Sequence, residues 1–453
     1  VGPKGDAGND GVTDPNVLIL ATRAELQAVV PDPAKIVLLD NDVWTYTNDP
    51  RDLAAATEDA AGYVYVRPLG QALPAWRRRV TRYTPEHFGG LGYATAADAL
   101  AAGNSATQAI QRAIAIGALD QTPFHFPPRT YALDAPVDLE ADTDITADST
   151  ALVCALSGAD VAFRVLRDTP VQLPSINGFA SAAIEIGSIG TSVVSPTVAA
   201  YDITSCGVGV RSIGVIHGSI AVRFVTAVTT AATFEDETRD TVISAHAIDS
   251  ATQVVLFPDN TIAAMQGLNS FRARSATNVE ALIRCVDPGI VGGRFSAVID
   301  EQLLFTDPLA ANTRLVQGKF NGLRIEAIVV DLKRHHIESS PRDEFEALLT
   351  PLDAGPALEA SSSINLTADA LYSTLVRAEV VAPAAIATGE TLTAYIQHVL
   401  GGARWTVACA SPLAVAASIS DVGDNSSVRI DVTNVGTAPI AIGARVKLIL
   451  SRV

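Results

Sequence analysis

The sequence is short of nearly everything that announces enzyme chemistry. Its four cysteines, Cys154, Cys206, Cys285 and Cys409, stand far apart in 453 residues. That spacing excludes zinc ribbons and fingers, and a chain this long needs no disulfide framework, so buried thiols are expected. No nucleophile elbow, phosphate-binding glycine loop or zincin motif occurs. Apolar runs stop short of membrane-spanning length and no signal peptide is visible, so no membrane insertion is expected. The only methionine is Met265, so no initiator remains: either the start was processed away or the sequence is the visible part of a longer chain with an anchoring segment before it. Cations are also scarce. Lys plus Arg is 32 against 49 Asp plus Glu, a net charge of −17. Nucleic acid and anionic membranes both demand a cationic footprint, so neither is an expected partner.

What is present points to β structure. Apolar residues make up 48% of the chain and aromatics only 6%, so the core is expected to pack from small β-branched and alanine side chains. The length suits about three domains. Gly2, Gly5, Gly8 and Gly11 recur at every third position, with Pro3 between the first two. A collagen triple helix needs this pattern because only glycine fits at the three-chain axis. So few triplets cannot hold three chains alone. They either continue a trimer organised by flanking domains or form a flexible linker. Residues 14–82 read as a small α+β unit. Thr22 and Glu25 have capping-box spacing, strands are expected at 35–39, 42–46 and 62–67, and the Arg77–Arg79 run is either an anion site or a solvated face.

In the next stretch, Ser105 and Gln108 have capping-box spacing. Ala106, Ala109, Ile110, Ala113 and Ile114 make a helical apolar stripe, and Gly117 is the expected stop. The ordered set Phe88-Gly89-Gly90-Leu91-Gly92, then Thr107-Gln108-Ala109-Ile110-Gln111-Arg112-Ala113-Ile114, then Phe126-Pro127-Pro128-Arg129-Thr130-Tyr131 resembles the opening segment of pectate-lyase-like right-handed parallel β-helix proteins, phage tailspikes above all. The resemblance covers residues 14–135. It departs from the family pattern at Tyr93, where an Asp is usual, at Arg129, where a Gly is usual, and in extra residues before the helix. It implies a helix that closes the open end of a β-helix.

The body carries its own repeat. Val291–Val298 aligns with Val316–Leu323 at an offset of 25, Phe271 precedes Phe295 by 24, and Phe224 precedes Phe271 by 47. A period near 24 indicates stacked β-helical coils. Residues 333–345 break the pattern with charge and a proline, and strand-like segments beyond them suggest a terminal β-sandwich. The expected fold is therefore mainly β: a right-handed parallel β-helix with a small N-terminal α+β domain and a C-terminal β-sandwich. The expected divisions are a connector over 1–13, a head over 14–82, a helix-capped coil over 83–335 and a receptor-binding or trimerisation domain over 346–453.

Candidate chemistry is thin. Glycoside hydrolysis needs two carboxyl groups, about 5–5.5 Å apart for retention or about 6.5–9.5 Å for inversion. The 25-residue offset would stack Glu301 on Glu326 one sheet spacing apart, about 4.8 Å, as an acid and nucleophile pair. Glu235, Asp236, Glu237 and Asp240 form a second acidic group, more simply a loop between coils, and Asp202 is a weaker candidate. Tyr372, Tyr395 and Trp405 are the candidate sugar-binding aromatics of the terminal domain. His335 and His336 adjoin the expected boundary, but neighbours in a strand face opposite ways, so no metal site and no cofactor are expected.

The resemblance implies one subunit of a trimeric phage tail fibre or tailspike, located in the virion tail. Its N-terminal side would meet tail or baseplate proteins, and its distal side would meet host cell-surface polysaccharide or another receptor. Two readings stand: a receptor-binding adhesion protein, and a depolymerase that hydrolyses or eliminates host glycan. A secreted bacterial polysaccharide lyase or hydrolase is a third, disfavoured by the collagen-like start.

Overall fold

The computed structural model describes residues 16–39, 42–59, 62–69, 75–168, 170–236, 238–258, 268–285, 290–291 and 294–306, and beyond these the strands and short connections between 314 and 452. The collagen-like residues lie outside this description.

The head is a five-stranded sheet in the order β1-β2-β3-β5-β4, built from β1 (Val17–Leu20), β2 (Ile36–Leu39), β3 (Asp42–Thr47), β4 (Tyr65–Val66) and β5 (Ala75–Arg78). Helix α1 (Arg23–Ala28) starts with the expected capping box: the Thr22 hydroxyl accepts from the Glu25 amide, and Glu25 accepts from the Thr22 amide. One face of the sheet buries Val37, Leu39, Trp44, Val66 and Trp76 with Leu26 of α1. The other face meets α2 (Pro50–Glu58) at the β4–β5 end.

The head is joined to the coil through a buried polar network. Tyr65 and Tyr83 each donate a hydroxyl to Asp120 Oδ2 at 2.5 Å, and Tyr65 also reaches Asp52 at 3.0 Å. Arg77 binds Asp52 at 2.7 Å and Thr122 at 2.7 Å. Burial, with the Asp120 carboxylate alongside, pushes both tyrosines well above the usual phenol range.

After the short α3 (Ala96–Ala102), helix α4 (Thr107–Asp120) covers the first coil. The apolar stripe from Ala106 to Ile114 is buried in one cluster with Phe124, Phe126, Tyr131, Leu133 and Val137. Two details differ from expectation. Ala106, not Ser105, occupies the N-cap, and the Ser105 hydroxyl accepts from the Thr107 amide instead. Gly117 does not stop the helix, which runs to Asp120 and ends at Gln121 with φ 60°. A Cβ on Gly117 would sit 2.5 Å from the Thr122 carbonyl oxygen, so this glycine serves close packing.

Most later strands belong to one 24-stranded sheet, the greater part of which curls into a parallel coil. One column runs through Thr130–Leu133, Leu152–Ala155 and Ser175–Asn177; a second through Val137–Leu139, Val161–Val165, Ala182–Ile186 and Val208–Ile213; a third through Ile145–Ala147, Val171–Leu173 and Thr197–Thr204. The strand Ser219–Glu235 pairs with the third column along its first half and the second along its second half. The chain turns at residues held at positive φ. Gly178, Ser205, Ala227, Ser250 and Asn278 mark one such corner in successive coils, and Ser195, His217 and Asp240 another. Neither Ser205, Ala227 nor Ser250 is a glycine, so the corner conformation is imposed by the sheets on either side.

The register corrects the repeat. Thr197 stands beside Ser219, Ser219 beside Val242, Val242 beside Ser270 and Ser270 beside Ser296, which are steps of 22, 23, 28 and 26 residues. Phe271 faces Ala297 while Phe295 faces Asn269, so these phenylalanines sit two residues out of column. Phe295 pairs with Leu323, a step of 28, rather than with Phe320.

Parallel pairing is found on both sides of the charged stretch at 333–345. Parallel pairing continues through His335–Ser339 and Glu344–Leu349 into Ile364–Ala368 and Leu375–Val381. Antiparallel pairing then takes over. Arg445–Arg452 lies between Leu375–Val381 and Trp405–Cys409, and a separate sheet pairs Ser427–Asn434 with Thr391–Gln397 and Val415–Asp421.

Candidate functional site

The outer surface of the coil acquires chemistry where five consecutive strands bend. Inward apolar residues normally alternate along a strand. In each of these strands the inward set skips one more position: Ala200 to Ile203, Val222 to Val225, Ala245 to Ile248 and Ala273 to Ala276, all buried. Two successive side chains are then left outside. They are Tyr201 and Asp202, Arg223 and Phe224, His246 and Ala247, and Arg274 and Ser275. In the next strand the register shifts between Ile299 and Leu303, leaving Asp300, Glu301 and Gln302 there. Pairing of Asp202 with Phe224, Phe224 with Ala247, Ala247 with Ser275 and Ser275 with Gln302 places these residues in one strip. Four sheet spacings make it about 19 Å long.

At one end, Arg223 binds Asp202 with two parallel hydrogen bonds of 2.9 and 2.7 Å. That contact raises the guanidinium above its usual range. The Arg223 guanidinium carbon lies 5.5 Å from the Tyr201 ring centre and 5.3 Å from that of Phe224. Phe224 is 39% exposed and meets exposed His246 edge-on with ring centres 5.6 Å apart. Gln172 fixes the Tyr201 hydroxyl at 2.7 Å. At the other end, Arg272 grips Asp300 with two bonds of 3.0 Å, and Arg274 holds half-exposed Glu301 at 2.6 Å. The strip thus offers apolar ring faces beside alternating donors and acceptors held rigid by ion pairs.

The register does not set Glu301 beside Glu326, as the 25-residue offset would. Glu326 stands opposite Val298, three residues before Glu301. The register then slips, so that the four steps from Ile299 to Leu303 span only the two from Ala327 to Val329, and Glu301 falls beyond Ala327 rather than opposite Glu326. The register instead sets Glu326 against Glu346 in the next strand. Asp202 and Glu301 lie at opposite ends of the strip, too far apart for acid and nucleophile.

The second acidic group is structural. Glu235 closes a ladder across the coil face: Asp138 to Arg164 at 3.8 Å, Arg164 to Glu185 at 3.4 Å, Glu185 to Arg211 at 3.3 Å and Arg211 to Glu235 at 2.8 Å. Asp236 and Asp240 are corner residues at positive φ, and Glu237 lies outside the described residues. Trp405 and Tyr395 fall on strands whose side chains there are outside the description, as is Tyr372 altogether. Arg77 and Arg79 line a cavity of about 260 Å³ with Thr45, Thr47 and Asp52. Arg77 is already spent on Asp52, and Arg79 on Thr45. Cys154 and Cys206 are buried free thiols, pushed up by that burial, and Cys409 is half-buried.

Sequence reasoning used Phe224 only as a repeat marker and passed over Tyr201, Arg223 and His246. The available signal was the three-residue apolar step that recurs coil after coil.

No family model and no curated protein matches the chain. Among solved structures it is similar to the enzymatically active domain of tailspike protein 4 of bacteriophage CBA120, at 11% identity and a TM-score of 0.49 over 96% of this chain and 75% of that one. It is similar also to the tailspike protein of Acinetobacter baumannii phage AM24, at 11% identity and TM-score 0.37 over 96% and 93%. A third is the tailspike protein gp49 of Pseudomonas phage LKA1, at 10% identity and TM-score 0.24 over 82% and 99%. At these values no neighbour's activity passes to this chain.

Proposed function

We propose that this chain is a subunit of a trimeric phage tail fibre or tailspike that adheres to bacterial surface polysaccharide through the strip from Tyr201 to Glu301. The observation that carries this reading is the pair Arg223–Phe224 on the outside of the coil. An exposed ring gives a sugar's C–H face an apolar seat, and the locked Arg223–Asp202 pair beside it bonds hydroxyls at fixed positions. Rigid, preformed donors lose little entropy on binding. Each carboxylate of the strip that the description resolves has a guanidinium as its partner. That favours holding a ligand over delivering a proton to it. The Gly-x-y residues would carry the threefold axis from the virion-facing side, and three strips at fixed spacing would raise avidity for a repetitive glycan.

A second reading rests on Glu326 and Glu346. Their register puts two carboxylate-bearing residues one sheet spacing apart, about 4.8 Å, close to the separation a retaining glycosidase uses. One experiment separates the two readings. The full chain is incubated with a panel of bacterial capsular and lipopolysaccharide glycans, and both retention and reducing-end release are measured. Retention without release is the expected result. Release that Glu326→Gln abolishes would replace adhesion with cleavage. Neither retention nor release would refute both.

A further inference from the structure

Among the described residues, nothing covers an apolar face of the head sheet at its β1 edge. Ile19, Leu38 and Val43 lie directly across three strands from one another, and Val17 and Ile36 form the next row. These residues alternate with Leu18, Val37 and Trp44, which point to the packed side. A solvated sheet face should carry polar residues at such positions. Here Ile19 is 74% exposed, Ile36 40% and Val43 37%. Helices α2 and α4 cover the same face only further along, where Arg77 and Tyr65 meet Asp52 and Asp120. The bare rows also border the sheet's edge strand, the position where proteins avoid exposed apolar surface unless something covers it.

We propose that a second copy of this chain covers this face, so that β1–β2–β3 is a subunit contact at the top of the fibre. The proposal rests on the trimer reading. The argument for the occupant is chain length. Gly11 is the last glycine of the triplet pattern, and Val17 opens β1 six residues later. Fully extended, those residues span about 20 Å. If residues 2–11 wind with two other chains, every copy of β1 is tethered within that distance of the shared axis. The three apolar faces are then confined to one small volume, and burying them against each other removes the surface that β1 would otherwise offer to unrelated strands.

The test uses the full chain carrying Ile19→Cys, with Val435→Cys as a control on an exposed residue of the terminal region. Stoichiometry is read by native mass spectrometry, and maleimide labelling of each introduced thiol by peptide mass. We expect a trimer in which Ile19→Cys labels at least tenfold more slowly than Val435→Cys, and in which an Ile36→Asp substitution restores fast labelling at Ile19→Cys. A trimer in which both thiols label equally fast overturns this contact and leaves the trimer standing. A monomer overturns the trimer itself, and the contact with it.

Discussion

Replacing Asp120 by Asn tests how the head is fastened to the coil. The Asp120 side chain is fully buried. It takes two tyrosine hydroxyls at 2.5 Å and the Thr122 amide at 3.0 Å, with Arg77 at 3.5 Å. Asparagine keeps the shape and one acceptor oxygen. It loses the charge that strengthens both hydroxyl bonds and, with its oxygen kept on the two hydroxyls, turns an N–H₂ group toward the Thr122 amide. A bond to a charged acceptor contributes about 1 kcal/mol more than a neutral one, and an unpaired buried amide costs about 1 kcal/mol. The expected loss is about 3 kcal/mol. Urea titration followed by tryptophan fluorescence reads it, because Trp44 and Trp76 lie in the head core. In a cycle with Tyr83→Phe, the double variant should be less destabilised than the two singles combined by about 1 kcal/mol. A loss under about 0.5 kcal/mol, or strict additivity, would refute the network as the fastening.

Other outcomes follow from the same geometry. Tyr65, Tyr83 and Tyr131 are all raised above the usual value of 10.0, each chiefly by burial. Unfolded chains release these protons above about pH 10 while the folded protein retains them, so stability is full below that pH and falls above it, by as much as about 4 kcal/mol per pH unit for three groups. A urea midpoint flat from pH 9 to 11 would contradict this. Ala227, exposed at φ 53°, should gain stability as Ala227→Gly and lose at least about 1 kcal/mol as Ala227→Val, read as opposite shifts in melting temperature. Arg211→Met should cost about 2 kcal/mol, because Glu185 and Glu235 are mostly buried and lose the cation between them. The Arg211→Met loss should shrink when Glu235→Gln is added.

The parts of the fold that follow local rules were legible in the sequence. The Thr22–Glu25 box, the stripe of α4 and the β-rich stacked repeat each rest on neighbouring residues or on a mean period. Register was not legible, because corners absorb extra residues without disturbing the strands. Steps from 22 to 28 residues therefore average near the expected period while moving every individual pairing. The misplaced Glu301–Glu326 pair is the direct consequence. The charged stretch near 333–345 suggested a boundary, yet the register sets Glu344 against Arg324 and Glu346 against Arg377, so charge there accompanies continued pairing. The strip at Phe224 was hidden for a related reason. A bend that exposes two successive residues breaks the two-residue alternation by which a strand is recognised.

The most direct measurement compares the affinity of the parent and of Phe224→Ala for the bacterial polysaccharide that the parent retains best, by calorimetry on the full chain. An exposed ring removed from a half-open surface leaves the fold intact, which an unchanged melting temperature would verify. Loss of this aromatic contact should weaken binding at least tenfold, about 1.4 kcal/mol or more. Equal affinity in parent and variant would contradict the assignment of the strip as the glycan site.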